Sequence, residues 1–250
     1  EALELRDGDL QDAVPCRPLP GARCSVDVPH PCSLARPVGS LRRVSSTALR
    51  DAWRLSVGTL TAVPMRPPGH VDRTVAGAAM LLAPLAVLPL AALVALVVWT
   101  GSRAEVSPLA TAVVAVASLA LGSRAFHLDG LADTADGLTA SYDRERSLAV
   151  MRTGAAGPAG VVAVVLVLGA QTAGLASLVL TDHGWLTAGV LVCVSRGVLA
   201  GLCTRGVPGA RADGLGATFV GSVPRSAAAA TAVVAAVLCW LVASGSGLVG

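Results

Sequence analysis

Residues 75–99, VAGAAMLLAPLAVLPLAALVALVVW, run for twenty-five positions without a charged side chain. At about 1.5 Å of helical rise per residue, such a run outreaches the roughly 30 Å hydrocarbon core of a bilayer. It sets the fold class because similar runs follow at about 106–123, 158–181, 185–203 and 226–243. Composition agrees: 54% of residues are hydrophobic, only 14% are charged, and mean hydropathy is +0.68, too apolar for an ordinary soluble domain. The expected architecture is all-α, a polytopic transmembrane helical bundle of five spans. Pro84 and Pro89 should kink the first, which a bundle tolerates. The link Asp182-His183-Gly184 is short enough to make spans three and four an antiparallel hairpin.

Upstream, residues 1–46 mix Pro, Gly, Cys, Arg and acidic residues without apolar periodicity and are expected to be irregular or disordered. Cys16, Cys24 and Cys32, with His30, lack the paired short spacing of a zinc site. Cys193, Cys203 and Cys239 sit in apolar runs and read as small buried hydrophobes. The chain opens on Glu1 with no signal-peptide pattern. From Thr47 to Pro64, the residues Leu49, Ala52, Trp53, Leu60 and Val63 lie beside Arg50, Asp51 and Arg54, as in an interfacial helix. Pro64, Pro67 and Pro68 end it. The net charge of +3, with no basic tract and no aromatic series, gives no indication of nucleic-acid binding.

Orientation follows the arginines. Arg66 and Arg73 precede span one; Arg124, Arg144, Arg146 and Arg152 follow span two; Arg205, Arg211 and Arg225 follow span four. The alternate loops hold only Arg103. The positive-inside rule puts the Arg-rich loops in the cytoplasm. A cytoplasm-facing site could then be built from two polar segments far apart in sequence.

The first of these holds three carboxylates within eight residues: Asp129, Asp133 and Asp136. On a helix, Asp133 lies roughly 40° to one side of Asp129 and Asp136 roughly 20° to the other. Three like charges on one face repel unless a cation sits among them, and hard oxygen ligands suit Mg²⁺, which completes its shell with water and substrate phosphate. Asp129, Asp133 and Asp136 are therefore candidate metal ligands and catalytic groups for phosphate chemistry. A solvated acidic helix face is the plainer alternative, and the membrane setting argues against it.

Candidate phosphate contacts are Arg144, Arg146 and Arg152, whose guanidinium forks match phosphate oxygens, although loop arginines also simply set topology. Arg196 lies inside an apolar span, where an ionisable group usually faces a bundle interior or polar cavity. It could pair with an aspartate, bind phosphate or snorkel to the interface. Arg211 and Asp213 offer another cation and carboxylate beside Gly214 and Gly216. His127 projects roughly 160° from Asp129 and reads as a supporting residue. Residues 154–160, rich in Gly, lack the Lys of a P-loop.

The stretch Phe126-His127-Leu128-Asp129-Gly130-Leu131-Ala132-Asp133-Thr134-Ala135-Asp136-Gly137 strongly resembles the signature of the cobalamin synthase (adenosylcobinamide-GDP ribazoletransferase) family. Asp143-Arg144-Glu145-Arg146, Val150-Met151-Arg152, Val194-Ser195-Arg196-Gly197, Arg211-Ala212-Asp213-Gly214-Leu215-Gly216 and Phe219-Val220-Gly221 resemble its later blocks in the same order. The resemblance covers roughly residues 48–250. It implies a multi-pass, Mg²⁺-dependent transferase of the cell inner membrane with lipid bilayer around it. The implied reaction joins adenosylcobinamide-GDP to α-ribazole, or its 5′-phosphate, and releases GMP. The 3′-hydroxyl of ribazole attacks the phosphorus next to the cobinamide arm. Domain 47–250 would carry this activity, and homo-oligomerisation is compatible with the pattern.

Two departures stand out. Thr153-Gly154-Ala155-Ala156 occupies a place where the family often carries an acidic or polar residue after Met-Arg. The family usually ends in a further membrane segment and a Gly-Gly-x-Thr-Gly-Asp-type block, so the chain reads as truncated or diverged at its C-terminus. Two other classes fit more loosely. A CDP-alcohol-type phosphatidyltransferase also clusters aspartates, but Leu138-Thr139-Ala140-Ser141 lacks its Ala-Arg pair. An ion or proton transporter could use the aspartates and Arg196.

Overall fold

The computed structural model describes residues 45–211 and 214–245. The expectations for residues 1–44, including the three N-terminal cysteines and His30, and for Asp213 lie outside the described residues. Regular structure among those described is helical: α1 (Ser46–Leu60), α2 (Arg73–Ala86), α3 (Leu88–Arg103), α4 (Pro108–Gly122), α5 (Phe126–Ala140), α6 (Arg144–Val150), α7 (Pro158–Val179), α8 (Gly184–Leu202) and α9 (Arg225–Gly245), with one 3₁₀ turn at Leu215–Thr218.

The run at 75–99 is split between α2 and α3. Pro84 sits inside α2, whereas Pro89 falls in the first turn of α3, where its missing N–H is no loss, and Val87 (φ −94°, ψ 6°) forms the joint. The two helices still make one apolar arm of 31 residues, Arg73–Arg103. Arms Arg73–Arg103, Pro158–Val179, Gly184–Leu202 and Arg225–Gly245 are each long and apolar enough to cross a membrane. The chain is thus a multi-pass membrane protein. The span expected over 106–123 is different. α4 has 15 residues and rises only about 22 Å, so it counts as a span only when joined to α5, from which it is bent by 89°.

That bend is built by Arg124 and Ala125, both left-handed at φ 54°. Such a conformation costs an L-residue about 1–2 kcal/mol. Tertiary bonds hold it: Arg124 donates through Nη2 to the Gly58 carbonyl, and the Ala62 amide donates to the Gly122 carbonyl at 2.6 Å. α1 thereby sets the direction in which α5 leaves the bundle.

The core lies where α3 meets α4 and α8, with Leu90, Val94, Val98, Ala115, Ala188 and Val192 buried together. A second cluster joins α1, α2 and α8 through Ala52, Val75, Ala79, Met80 and Ala200 to Val223. Close backbone approach depends on small residues: a Cβ on Gly101 would stand 2.4 Å from Thr111 Oγ1. α7 and α8 are joined by residues 180–183, and a Cβ on Gly184 would lie 1.7 Å from the Leu178 carbonyl oxygen. The turn requires glycine there.

Candidate active site

α5 forms although it holds three carboxylates and two glycines, since Leu128, Leu131, Ala132 and Ala135 give it a half-buried apolar side. It rests against α7 and α6. Asp129 is exposed and Asp133 half-buried one turn later, and neither carboxylate has a hydrogen-bond or ion-pair partner among the described residues. Asp136 differs. It is 8% exposed, and its two oxygens accept the backbone N–H groups of Gly157 (2.7 Å) and Gly160 (2.8 Å) at the start of α7. Among the described residues no three His, Cys, Asp or Glu side chains come together closely enough to hold a metal ion. The shared helix face expected from the sequence is present, but the three carboxylates do not converge on one point.

Gly157 and Gly160 were visible only as part of a Gly-rich approach to α7. The signal was local: a helix starting at Pro158 with glycine at its N-cap has no capping side chain of its own.

Around this helix the arginines divide. Arg144 donates through Nη2 to the Ala210 carbonyl, so α6 is fastened to the loop between α8 and α9. That loop is closed at its base by Arg205 N to Val223 O and Val223 N to Cys203 O, each 3.0 Å. The two polar segments remote in sequence are therefore joined. Arg146 is exposed on α6, whose N-terminus is capped by Asp143 Oδ1 accepting from the Arg146 amide at 2.8 Å. Arg152 lies exposed just beyond α6, and Arg211 is exposed with its guanidinium near Gly214.

Arg196 is half-buried on α8. It donates through Nη1 to Ser195 Oγ at 3.2 Å, while its Nε is buried without a partner among the described residues. Its positive charge is felt at His127, whose Nδ1 is also buried and unpartnered and whose ring meets Phe126 edge-on at 5.6 Å. His127, read from the sequence as supporting, stands on the opening turn of α5, within electrostatic reach of Arg196 on α8. The Arg196 Nε is a donor, and a buried donor that lacks an acceptor favours an anion nearby.

The sequence profile of the cobalamin-5-phosphate synthase family matches residues 52–250. The chain belongs to that family. Similar proteins include one from Nocardioides sp., 59% identical over 176 residues, which cover 70% of this chain and 76% of the relative. A protein of Frankia casuarinae is 40% identical over 180 residues, 68% of this chain and 64% of its own length, and one of Pseudomonas fluorescens is 34% identical over 192 residues, 76% of each. All three relatives bear the name adenosylcobinamide-GDP ribazoletransferase. No solved structure matches the chain. The family match takes in all of α5 and every arginine just described.

Proposed function

We propose that this chain is a membrane-embedded transferase that joins adenosylcobinamide-GDP to α-ribazole, or to its 5′-phosphate, and releases GMP. The observation that carries this is the opening half of α5: two carboxylates one turn apart on a family signature, unpartnered among the described residues, on a turn whose His127 is within electrostatic reach of Arg196 and its buried, unpartnered Nε.

Asp129 and Asp133 fit Mg²⁺, which takes one or two protein carboxylates and leaves its other positions to water and substrate phosphate. When bound, the ion supplies neutralisation of the pyrophosphate and of the leaving GMP. Arg196 holds a non-bridging phosphate oxygen and stabilises charge that grows there in the transition state. His127, on the opening turn of α5, offers a further polar contact to that phosphate when its Nδ1 carries the ring proton. Arg146, Arg152 and Arg211, exposed on the α6 side and on the loop after α8, steer the anionic nucleotide end toward α5. Arg144 acts at one remove, by keeping the loop and its Arg211 beside α6. An aspartate of α5 accepts the proton of the attacking hydroxyl. The Arg-rich connections support a cell inner-membrane location with this site on the cytoplasmic face.

The test is direct. Membranes carrying the chain receive adenosylcobinamide-GDP, α-ribazole and Mg²⁺, and cobalamin and GMP are measured. Equal yields of the two, lost on Asp133→Asn with the protein still present, support the assignment. Ion or substrate uptake into proteoliposomes without GMP would overturn it.

A further inference from the structure

We infer that Asp136 is a positioning residue: its carboxylate fastens α5 to the N-terminus of α7 and so aims Asp129 and Asp133, without binding metal itself. This rests on the reading of Asp129 and Asp133 as the metal-holding pair.

α7 begins with a deficit that its own sequence does not fill. Helix starts leave their first amides without intrahelical acceptors. Gly157, the N-cap residue, has no side chain to offer them, and Pro158 has no N–H. Asp136 fills the gap from another helix, one oxygen on the Gly157 amide and the other on the Gly160 amide. Its negative charge also meets the positive end of the α7 dipole, worth about half an elementary charge. A divalent cation on the same carboxylate would be pressed against that positive end.

Space points the same way. A Cβ on Gly157 would lie 2.5 Å from Asp136 Oδ1; one on Gly160 would lie 2.3 Å from Oδ2 and 2.8 Å from the Ala132 carbonyl oxygen. Only glycine lets the α7 backbone come this close. The anchor is one turn beyond Asp133 on a continuous helix, so any shift at Asp136 is passed to the Asp133 carboxylate. Asp136→Asn keeps the shape but turns an NH₂ group against one of the two backbone donors.

Amide hydrogen exchange and Mn²⁺ titration by electron paramagnetic resonance, on the full chain in lipid nanodiscs, separate anchor from ligand. In the wild-type protein an anchor stays on its amides when Mn²⁺ is added, and exchange at Gly157 and Gly160 is unchanged. A ligand leaves them, and exchange rises, which would overturn the inference without any variant. Asp133→Asn, which removes a ligand outright, should weaken Mn²⁺ binding by more than about 100-fold, beyond the range of a residue that only orients a ligand. Asp136→Asn and Gly160→Ala should move the Mn²⁺ midpoint by no more than about tenfold, the lower cost of losing a residue that only orients a ligand, raise exchange over residues 157–160 and lower kcat by roughly a hundredfold, the cost of a misaimed reacting group, with KM little changed. The double variant should be no worse than the poorer single one. Loss of Mn²⁺ affinity in Asp136→Asn to match Asp133→Asn sinks the assignment. A wild-type chain that binds no Mn²⁺ sinks the metal reading itself, a failure told apart because the exchange difference between wild type and Asp136→Asn needs no metal.

Discussion

The two halves of α5 are built on opposite terms. In residues 126–133 a Cβ on Gly130 would meet nothing within 4 Å, and among the described residues Asp129 and Asp133 are unpartnered and a buried nitrogen of His127 has no partner. In residues 134–140 a Cβ on Gly137 would stand 2.4 Å from Met151 Cγ and 2.9 Å from the Ser147 carbonyl oxygen, and Asp136 is buried with both oxygens used. One helix thus has one end left open and one end clamped by α6 and α7. Chemically identical carboxylates seven residues apart are held differently because only one of them has a helix terminus beside it.

That division can be attacked at either end. The largest effect is expected from Asp133→Asn, which should lower GMP release by about 10²–10³-fold, the scale of losing one electrostatic contact in the transition state, while melting of the solubilised protein barely moves. Chelation of divalent metal should reproduce the loss in the wild type and Mg²⁺ should restore it. Arg196→Gln comes next: a charge-assisted hydrogen bond is worth about 1.5–3 kcal/mol, so kcat/KM should fall by roughly 10–100-fold. At the clamped end Gly137→Val should destabilise by about 1–3 kcal/mol through overpacking, read as a lower melting temperature and a smaller folded fraction. Smallest is Gly130→Ala, where open space lets helix propensity act and stability should rise by about 0.5–1 kcal/mol. Equal melting shifts at Gly130 and Gly137 would erase the contrast between the halves.

Much of this was legible in the residues. The runs read at 158–181, 185–203 and 226–243 became α7 (Pro158–Val179), α8 (Gly184–Leu202) and α9 (Arg225–Gly245), since long apolar runs with Pro or Gly at their borders leave little choice of element. The helical face shared by the aspartates also followed from spacing alone. Two things did not. Nothing marks Arg124 and Ala125 for left-handed backbone, because the tertiary bonds of Gly58 and Gly122 impose it. Nor does sequence show that Asp136 would find its partners 21 and 24 residues onward, since those partners are backbone amides and carry no side-chain signature.

The jointed arm Arg73–Arg103 rises about 46 Å if straight, well beyond the apolar slab it crosses. Arginine ends both extremities, and at the far one Arg103 lies over the Trp99 ring, 5.6 Å from its centre, a pairing suited to the headgroup layer. An over-long rod between two such floats must lean, or flex at Val87, until its ends reach water. Acyl-chain length then becomes a dial on the lean of α2 and α3, and transferase rates in vesicles of graded thickness should pass through a maximum.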